Sequence, residues 1–431
     1  LESFFDVGYE KNLQFSEDPL PVFHSLQKKY SSGLVTVPTV GAGTVNTEFE
    51  ILTGMRQHDF GVSEYPYKTV LKSKTSESIC TDLKKLGYST HAVHNNEATF
   101  YGRNTVFSNI GFDTFCSMEY MNGLTDSPNG WSNDDVLSRE IMKTLDSTSG
   151  PDFTMAITVQ SHGKYDGIAL DDPTIKVTGA PEGKEQAYEY YVNEIHEVDR
   201  MIDTLIKELS NRKEETVLVL YGDHLPSLDI QKDDLSNANL YQTQYVVWDN
   251  MNLKKKTKNL HAYQLYAEVL DRIQIHEGMI TKYHQQTKHR SKLYLTGLTT
   301  LSYDLLYGDN YAYDGKNPFK QTELQMGTEP VKLTSVQKTK SGYRVVGSGF
   351  TPYCKVYYDG TLVESEWISS ECLQLQDEFE LDEADKKDSG EPETEVTEPR
   401  DVPNAFVVEV QSDDGVVLSS TQAYPASQVK K

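Results

Sequence analysis

The sequence predicts an α/β protein: a mostly parallel central sheet flanked by helices, followed by a small all-β, immunoglobulin-like sandwich. Three observations point there. Strand-like and helix-like runs alternate over roughly the first 310 residues, the pattern of βα units around a mostly parallel sheet. From about residue 326 the alternation gives way to short runs separated by Gly, Asp and Pro turns, as in a β-sandwich. Finally, Thr44, His94, His162, Asp223 and His224 all follow the ends of predicted strands, where open α/β sheets collect their ligands.

Taken in order, GLVTVPTV (33–40) is a β-rich run that ends at the Gly41 loop. SESICTDLKKLGYSTHAVH (76–94) reads as an amphipathic helix, a stop at Gly87, then a strand. PDFTMAITVQSHG (151–163) is a buried-strand run that closes on polar residues. In EQAYEYYVNEIHEVDRMIDTLIKEL (185–209), Tyr191, Ile195, Val198, Ile202 and Leu205 recur at three- and four-residue intervals, which describes a core-facing helix. ETVLVLYGDHLP (215–226) is the most apolar strand and is closed by Asp223 and His224; YQTQYVVWDN (241–250) and HAYQLYAEVLDRI (261–273) add a strand and a helix. VKLTSVQ, GYRVVGSGF, CKVYYDGTLV, AFVVEVQ and GVVLSST then supply the alternating strands of the sandwich. The expected division is 1–325 and 326–431, with the acidic, proline-bearing stretch at about 377–403 as a disordered insertion in a loop. That stretch lacks EF-hand spacing, so a solvated charge run is favoured over a calcium site.

Composition narrows the function classes. A net charge of -24, with no basic patch to offset it, argues against nonspecific nucleic-acid binding. Cys80, Cys116, Cys354 and Cys372 lie far apart with no CxxC spacing, which argues against a zinc knuckle or a disulfide scaffold. Free thiols are the first expectation, and a Cys354–Cys372 pair is the alternative. No stretch approaches the ~20 apolar residues of a membrane helix. The opening LESFFDV reads as the end of a strand running into a turn, so the chain is expected to begin inside a larger fold.

The residues with chemistry start at GAGTVNTEFEILTGM (41–55). Gly41 and Gly43 before Thr44 form either a plain tight loop or a backbone cradle that presents the threonine to a phosphate. A threonine hydroxyl is a poor nucleophile unless a metal or base lowers its pKa. Asp223 and His224, at the mouth of a buried strand, are ligands suited to Zn²⁺ or Mn²⁺; the competing reading is a helix-capping aspartate beside a surface histidine. Glu2 is a second acid in a similar context. HNNEATFYGRNTVF (94–107) offers His94, Phe100, Tyr101 and Arg103, and QSHGKY (160–165) offers His162 and Lys164. Arginine presents a planar fork to phosphate, and aromatic rings pack on a glyceryl or sugar portion; core packing is the alternative for each.

In this order LESFFD, GAGTVNTEFEILTG, HNNEATFYGRN, GFDTF, VQSHGKY and YGDH resemble the lipoteichoic acid synthase family. These are extracellular phosphoglycerol transferases of the sulfatase and alkaline phosphatase superfamily, and the resemblance spans roughly residues 1–315. It implies a nucleophile at Thr44 and metal ligands at Glu2, Thr44, Asp223 and His224. Mn²⁺ is the expected ion, with Zn²⁺ or Mg²⁺ as alternatives. Substrate-contacting residues fall on His94, Phe100, Tyr101, Arg103 and His162; the family's synthases carry tryptophan where this chain has Tyr101. The sulfatase Cys-x-Pro-x-Arg motif is missing.

The implied reaction moves glycerol phosphate from phosphatidylglycerol to a polyglycerolphosphate or glycolipid acceptor. It would take place at the extracellular face of a bacterial membrane, with an N-terminal membrane region as anchor. A phosphoethanolamine transferase, a phosphodiesterase and a non-catalytic surface protein are the rival readings. VVGSGFTPYCKVYYDG resembles an IPT/TIG-type immunoglobulin-like module.

Overall fold

The computed structural model describes residues 1–61, 64–289, 291–340, 342–376, 379–381 and 398–430. Most of the stretch read as a disordered insertion, 377–378 and 382–397, lies outside the described residues. The chain forms two compact units.

The first unit comprises Leu1–Asn95, Tyr101–Asp113 and Thr125–Glu323 and has the α/β fold expected. The strand Ser89–His94 pairs in parallel with Asp152–Ile157, His94 opposite Ile157. Ser31–Thr36 pairs in parallel with Leu260–His261 and antiparallel with Gln242–Asp249, which also pairs antiparallel with Val217–Tyr221. Strand senses are therefore more mixed than a strict βα alternation implies. The 27-residue helix Glu185–Asn211 buries Tyr191, Ile195, Val198, Ile202 and Leu205, the stripe its spacing predicts.

Two features bring the amino-terminal residues to the end of the Val217–Tyr221 strand. The Leu1 amino group donates to Tyr221 O at 2.8 Å, and the Asp223 amide donates to Leu1 O at 3.1 Å. Gly222 allows the approach, because a Cβ there would lie 1.9 Å from Phe4 O. Phe4 and Phe5 are fully buried, so apolar burial holds the segment in place.

The second unit comprises Asn96–Phe100, Thr114–Leu124 and Leu324–Lys431, and thus takes in two segments that a boundary at 325/326 assigns elsewhere. One antiparallel sheet joins Lys332–Thr339, Gly342–Ser348, Cys372–Leu375 and Ser365–Ser369. The other joins Thr361–Val363, Cys354–Tyr358, Ala405–Gln411 and Val417–Ser420. Val336, Val345 and Leu373 from the first sheet share a core with Val356, Phe406 and Val408 from the second, as in a sandwich. The strands Ser365–Ser369 and Cys372–Leu375 are additions to the sequence reading. Thr114–Leu124 is fastened to this unit by Thr351 Oγ1, which donates to Glu119 O at 2.7 Å, and by a 2.7 Å Tyr120–Ser419 hydroxyl pair. All four cysteines are free thiols, which removes the Cys354–Cys372 alternative.

Candidate active site

The segment TVNTEFEILT is a helix, Thr44–Thr53, and every one of its residues is buried. Two glycines set its start. Gly43, immediately before it, has φ +93° and Gly41 has φ +72°, left-handed backbone that glycine adopts without steric cost. The Gly41 amide donates to Leu225 O at 3.0 Å. That bond takes one amide out of the cradle: this N–H ties the loop before Thr44 to the segment carrying Asp223 and His224. The donors left are at the helix's amino end, which no side chain caps.

Thr44, Glu2, Asp223 and His224 come together and are all buried. Thr44 Oγ1 donates to Glu2 Oε2 at 2.8 Å and stands 3.5 Å from His224 Nε2. Glu2, Asp223 and His224 each offer one ligand atom within 4.8 Å of the others. Residues that sequence reasoning passed over hold the group in shape. Ser3 donates from Oγ to Glu2 Oε1 at 2.9 Å and from its amide to Asp223 Oδ1 at 2.8 Å. Thr47, one turn beyond Thr44, donates to Asp223 O at 2.7 Å. The Glu2 amide donates to Thr158 Oγ1 at 2.7 Å.

The electrostatics favour a bound cation. Burial, then the charge of Glu2, pushes the Asp223 carboxyl up to about 6. Burial would raise Glu2 as well, but the charges of His224 and His162 and the hydroxyls of Thr44 and Ser3 lower it instead. Burial works against a proton on His224, and the charges of Asp223 and Glu2 outweigh it and raise the imidazole; a bound cation would supply that positive charge. The 2.9 Å contact of His224 Nδ1 with Leu225 O places the hydrogen of the neutral ring on Nδ1 and leaves Nε2 as a ligand. Asp223 Oδ2 has no hydrogen-bond partner. An orphaned buried carboxylate oxygen beside a second acid and an imidazole fits a divalent cation.

A cavity of 610 Å³ opens beside the group and is lined by Glu2, Ser3, Gly41, Ala42, Trp131 and His162, among others. His162 is thus the one predicted substrate residue beside Glu2 on this wall; its Nδ1 lies 2.6 Å from Gly163 O. The others do not line the cavity. His94 is buried, with Nδ1 2.9 Å from Ile157 O, and burial together with the Arg103 charge holds it well below the usual histidine range. Arg103 is 1% exposed and paired to Glu48, Nη2 to Oε1 at 2.6 Å. Tyr101, at φ +60°, stacks on Tyr65 with centroids 6.2 Å apart, and its ring lies 5.5 Å from the Arg103 guanidinium carbon. Phe100 groups with the second unit. Glu48 was legible only if TVNTEFEILT had been read as a helix, where it falls one turn after Thr44.

The Sulfatase family profile matches residues 1–275. A protein of Rhizobium meliloti (strain 1021) whose name links it to cyclic beta-1,2-glucan modification is 31% identical over 59% of this chain and 42% of its own length. Lipoteichoic acid synthase 2 of Bacillus subtilis (strain 168) is 24% identical over 45% of this chain and 30% of its own. The chain therefore spans less than half the length of these curated relatives. Among solved structures, the Streptococcus pyogenes phosphoglycerol transferase GacH in complex with sn-glycerol-1-phosphate shares the fold. Its TM-score is 0.62 at 22% identity, covering 74% of this chain and 88% of that one. With a profile match over well more than half its length, the chain belongs to the sulfatase family.

Proposed function

We propose that this chain is a phosphoglycerol transferase that takes glycerol phosphate from phosphatidylglycerol onto Thr44 and passes it to a hydroxyl acceptor. The observation that carries this reading is the 2.8 Å bond from Thr44 Oγ1 to Glu2 Oε2 at the uncapped start of a buried helix. Glu2 would accept the hydroxyl proton as Thr44 Oγ1 attacks phosphorus and diacylglycerol departs. Backbone amides at the helix start face the non-bridging oxygens. A divalent cation held by Glu2, Thr44, Asp223 and His224 would lower the hydroxyl pKa and neutralise phosphoryl charge; Mn²⁺ is the expected ion and Zn²⁺ or Mg²⁺ the alternatives. His162, at the cavity, hands a proton to the departing oxygen and takes one from the acceptor. His94 and Arg103 lie buried behind this surface, with the Tyr101 ring against the Arg103 guanidinium.

GacH was solved with sn-glycerol-1-phosphate, and two curated relatives are named for lipoteichoic acid synthesis and glucan modification. These names support a glycerol phosphate donor and an acceptor that is a polyglycerolphosphate, a glycolipid or a glycan. The reaction belongs at the extracellular face of a bacterial membrane, where phosphatidylglycerol is at hand. Among the described residues no helix is long and apolar enough to cross a membrane. The test is Thr44→Ala with fluorescent phosphatidylglycerol and Mn²⁺: diacylglycerol release should disappear, and unchanged release would end the proposal. Mass spectrometry of the Thr44 adduct identifies the retained head group and separates phosphoglycerol from phosphoethanolamine transfer.

A further inference from the structure

One wall of the cavity has no part in the chemistry at Thr44. The indole Nε1 of Trp131 donates to Gly163 O at 3.0 Å, and its ring meets the His162 ring with centroids 4.5 Å apart. Asn129 locks the same loop. Its Nδ2 donates to His162 O at 3.0 Å, and its Oδ1 accepts from Ser127 Oγ at 2.6 Å and from the Trp131 amide at 3.3 Å. Trp131 is therefore held at its backbone and its ring edge, yet it is only half-buried and lines the cavity with Gly41, Ala42 and Ile168.

An indole whose N–H is already satisfied offers a ligand an apolar π-face in a fixed place, with little ordering cost on binding. A glycerol phosphate chain is flexible, carries a charge on every unit and has no flat apolar face. A pyranose ring has one, built from its axial C–H groups, with hydroxyls around the rim. The small residues Gly41 and Ala42 on the same cavity leave room for a ring. We propose that the Trp131 wall is an acceptor subsite for a sugar ring, so that the terminal acceptor of this chain is a saccharide hydroxyl; this rests on the phosphoglycerol transfer reading. In the second half-reaction the sugar oxygen forms a bond to phosphorus as the bond from phosphorus to Thr44 Oγ1 breaks. His162 takes the proton of the sugar hydroxyl, Glu2 returns to Thr44 Oγ1 the proton it accepted in the first step, and the product is a glycerol phosphodiester of the sugar.

The test uses the full chain with Mn²⁺, phosphatidylglycerol in detergent micelles, and sophorose (a β-1,2-linked glucose disaccharide) or sn-glycerol-1-phosphate as acceptor. Sophorose should be the better acceptor. Trp131→Ala should raise its KM by about tenfold, the scale of one lost aromatic contact, with Trp131→Tyr returning it to within about threefold on the same scale. Acceptor and donor KM rising in parallel would overturn the proposal, because the wall would then serve only to support His162. Preference for sn-glycerol-1-phosphate would overturn it too. A second measurement needs no turnover: saturation-transfer NMR on Thr44→Ala should show contact between sophorose and the protein, lost in Thr44→Ala/Trp131→Ala. If wild type releases no diacylglycerol while sophorose still binds at Trp131, the transfer reading fails and the sugar subsite stands. Absence of sophorose binding with donor turnover intact overturns the subsite alone.

Discussion

The ion pair between Glu48 and Arg103 gives the sharpest test of how this site is held. The two side chains are 2% and 1% exposed, with Arg103 Nη2 2.6 Å from Glu48 Oε1 and Nε 3.3 Å from Oε2. At 2.6 Å and an effective dielectric near 20, the gross attraction is roughly 6 kcal/mol, much of it offset by desolvation. Glu48→Ala removes the attraction and leaves a buried guanidinium without its counter-charge, a change that costs about 3–5 kcal/mol. At about 2–4 °C per kcal/mol for a unit of this size, the melting transition of the first unit should fall by roughly 6–20 °C. The assay is thermal unfolding followed by circular dichroism, with the two units' transitions fitted separately. Glu48→Leu combined with Arg103→Met should recover most of the loss, because it leaves no orphan charge. A fall of less than about 2 °C in Glu48→Ala would refute the reasoning, since it would mean that Arg103 finds water or another anion at little cost.

Further outcomes follow from the same structure. His24 is raised to about 9 by its bond to Asp6, against burial, with help from Asp18. A raised histidine contributes stability that is full below its unfolded value and lost as pH climbs through the folded one. His24 is partly exposed, so solvent screening discounts the shift, and His24→Gln should cost on the order of 1 kcal/mol at pH 6 and nearly nothing at pH 10 in urea titrations. Glu50 shifts in the same direction for a different reason: burial carries it up to about 8 despite the Gln57 amide and the Arg56 charge. The folded protein then loses stability as pH rises from the ordinary glutamate range toward 8, and Glu50→Gln should flatten that decline, as melting points across pH would show. Saturating Mn²⁺ should stabilise the first unit by about 2.7 kcal/mol at a hundred times its dissociation constant, and Asp223→Asn should abolish the shift. Gly222→Ala should destabilise by about 1–3 kcal/mol or more, because its Cβ would meet Phe4 O at 1.9 Å; a neutral result in chemical denaturation would contradict the close approach.

Strands with strong apolar patterns were readable in the sequence, and so was the convergence of Glu2, Thr44, Asp223 and His224. The ordered motifs carried it, together with the placement of polar residues at strand ends. The Thr44–Thr53 helix was not readable, because its glutamates resemble exposed positions and Glu48 is buried only by a partner 55 residues away. Arg103 was read as a ligand for substrate for the same reason: a sequence shows a cation but not the acid that meets it in the fold. Ser365–Ser369 escaped notice because it is short and Trp367 and Ile368 on it stay exposed, so no buried alternation marks it. Trp131 carried no signal beyond its residue type; only its tethers to Gly163 and Asn129 set it apart.

The ten consecutive buried residues from Thr44 to Thr53 leave that helix without a single position open to neutral drift. Any exchange there disturbs packing as well as chemistry, so it will resist being retuned one residue at a time. Under the proposed transfer reaction, new acceptor preferences would be sought in the loops around Trp131 and Lys164. A mutagenesis library confined to those loops should yield altered selectivity with most clones still folded, whereas one aimed at the helix should yield mainly misfolded protein.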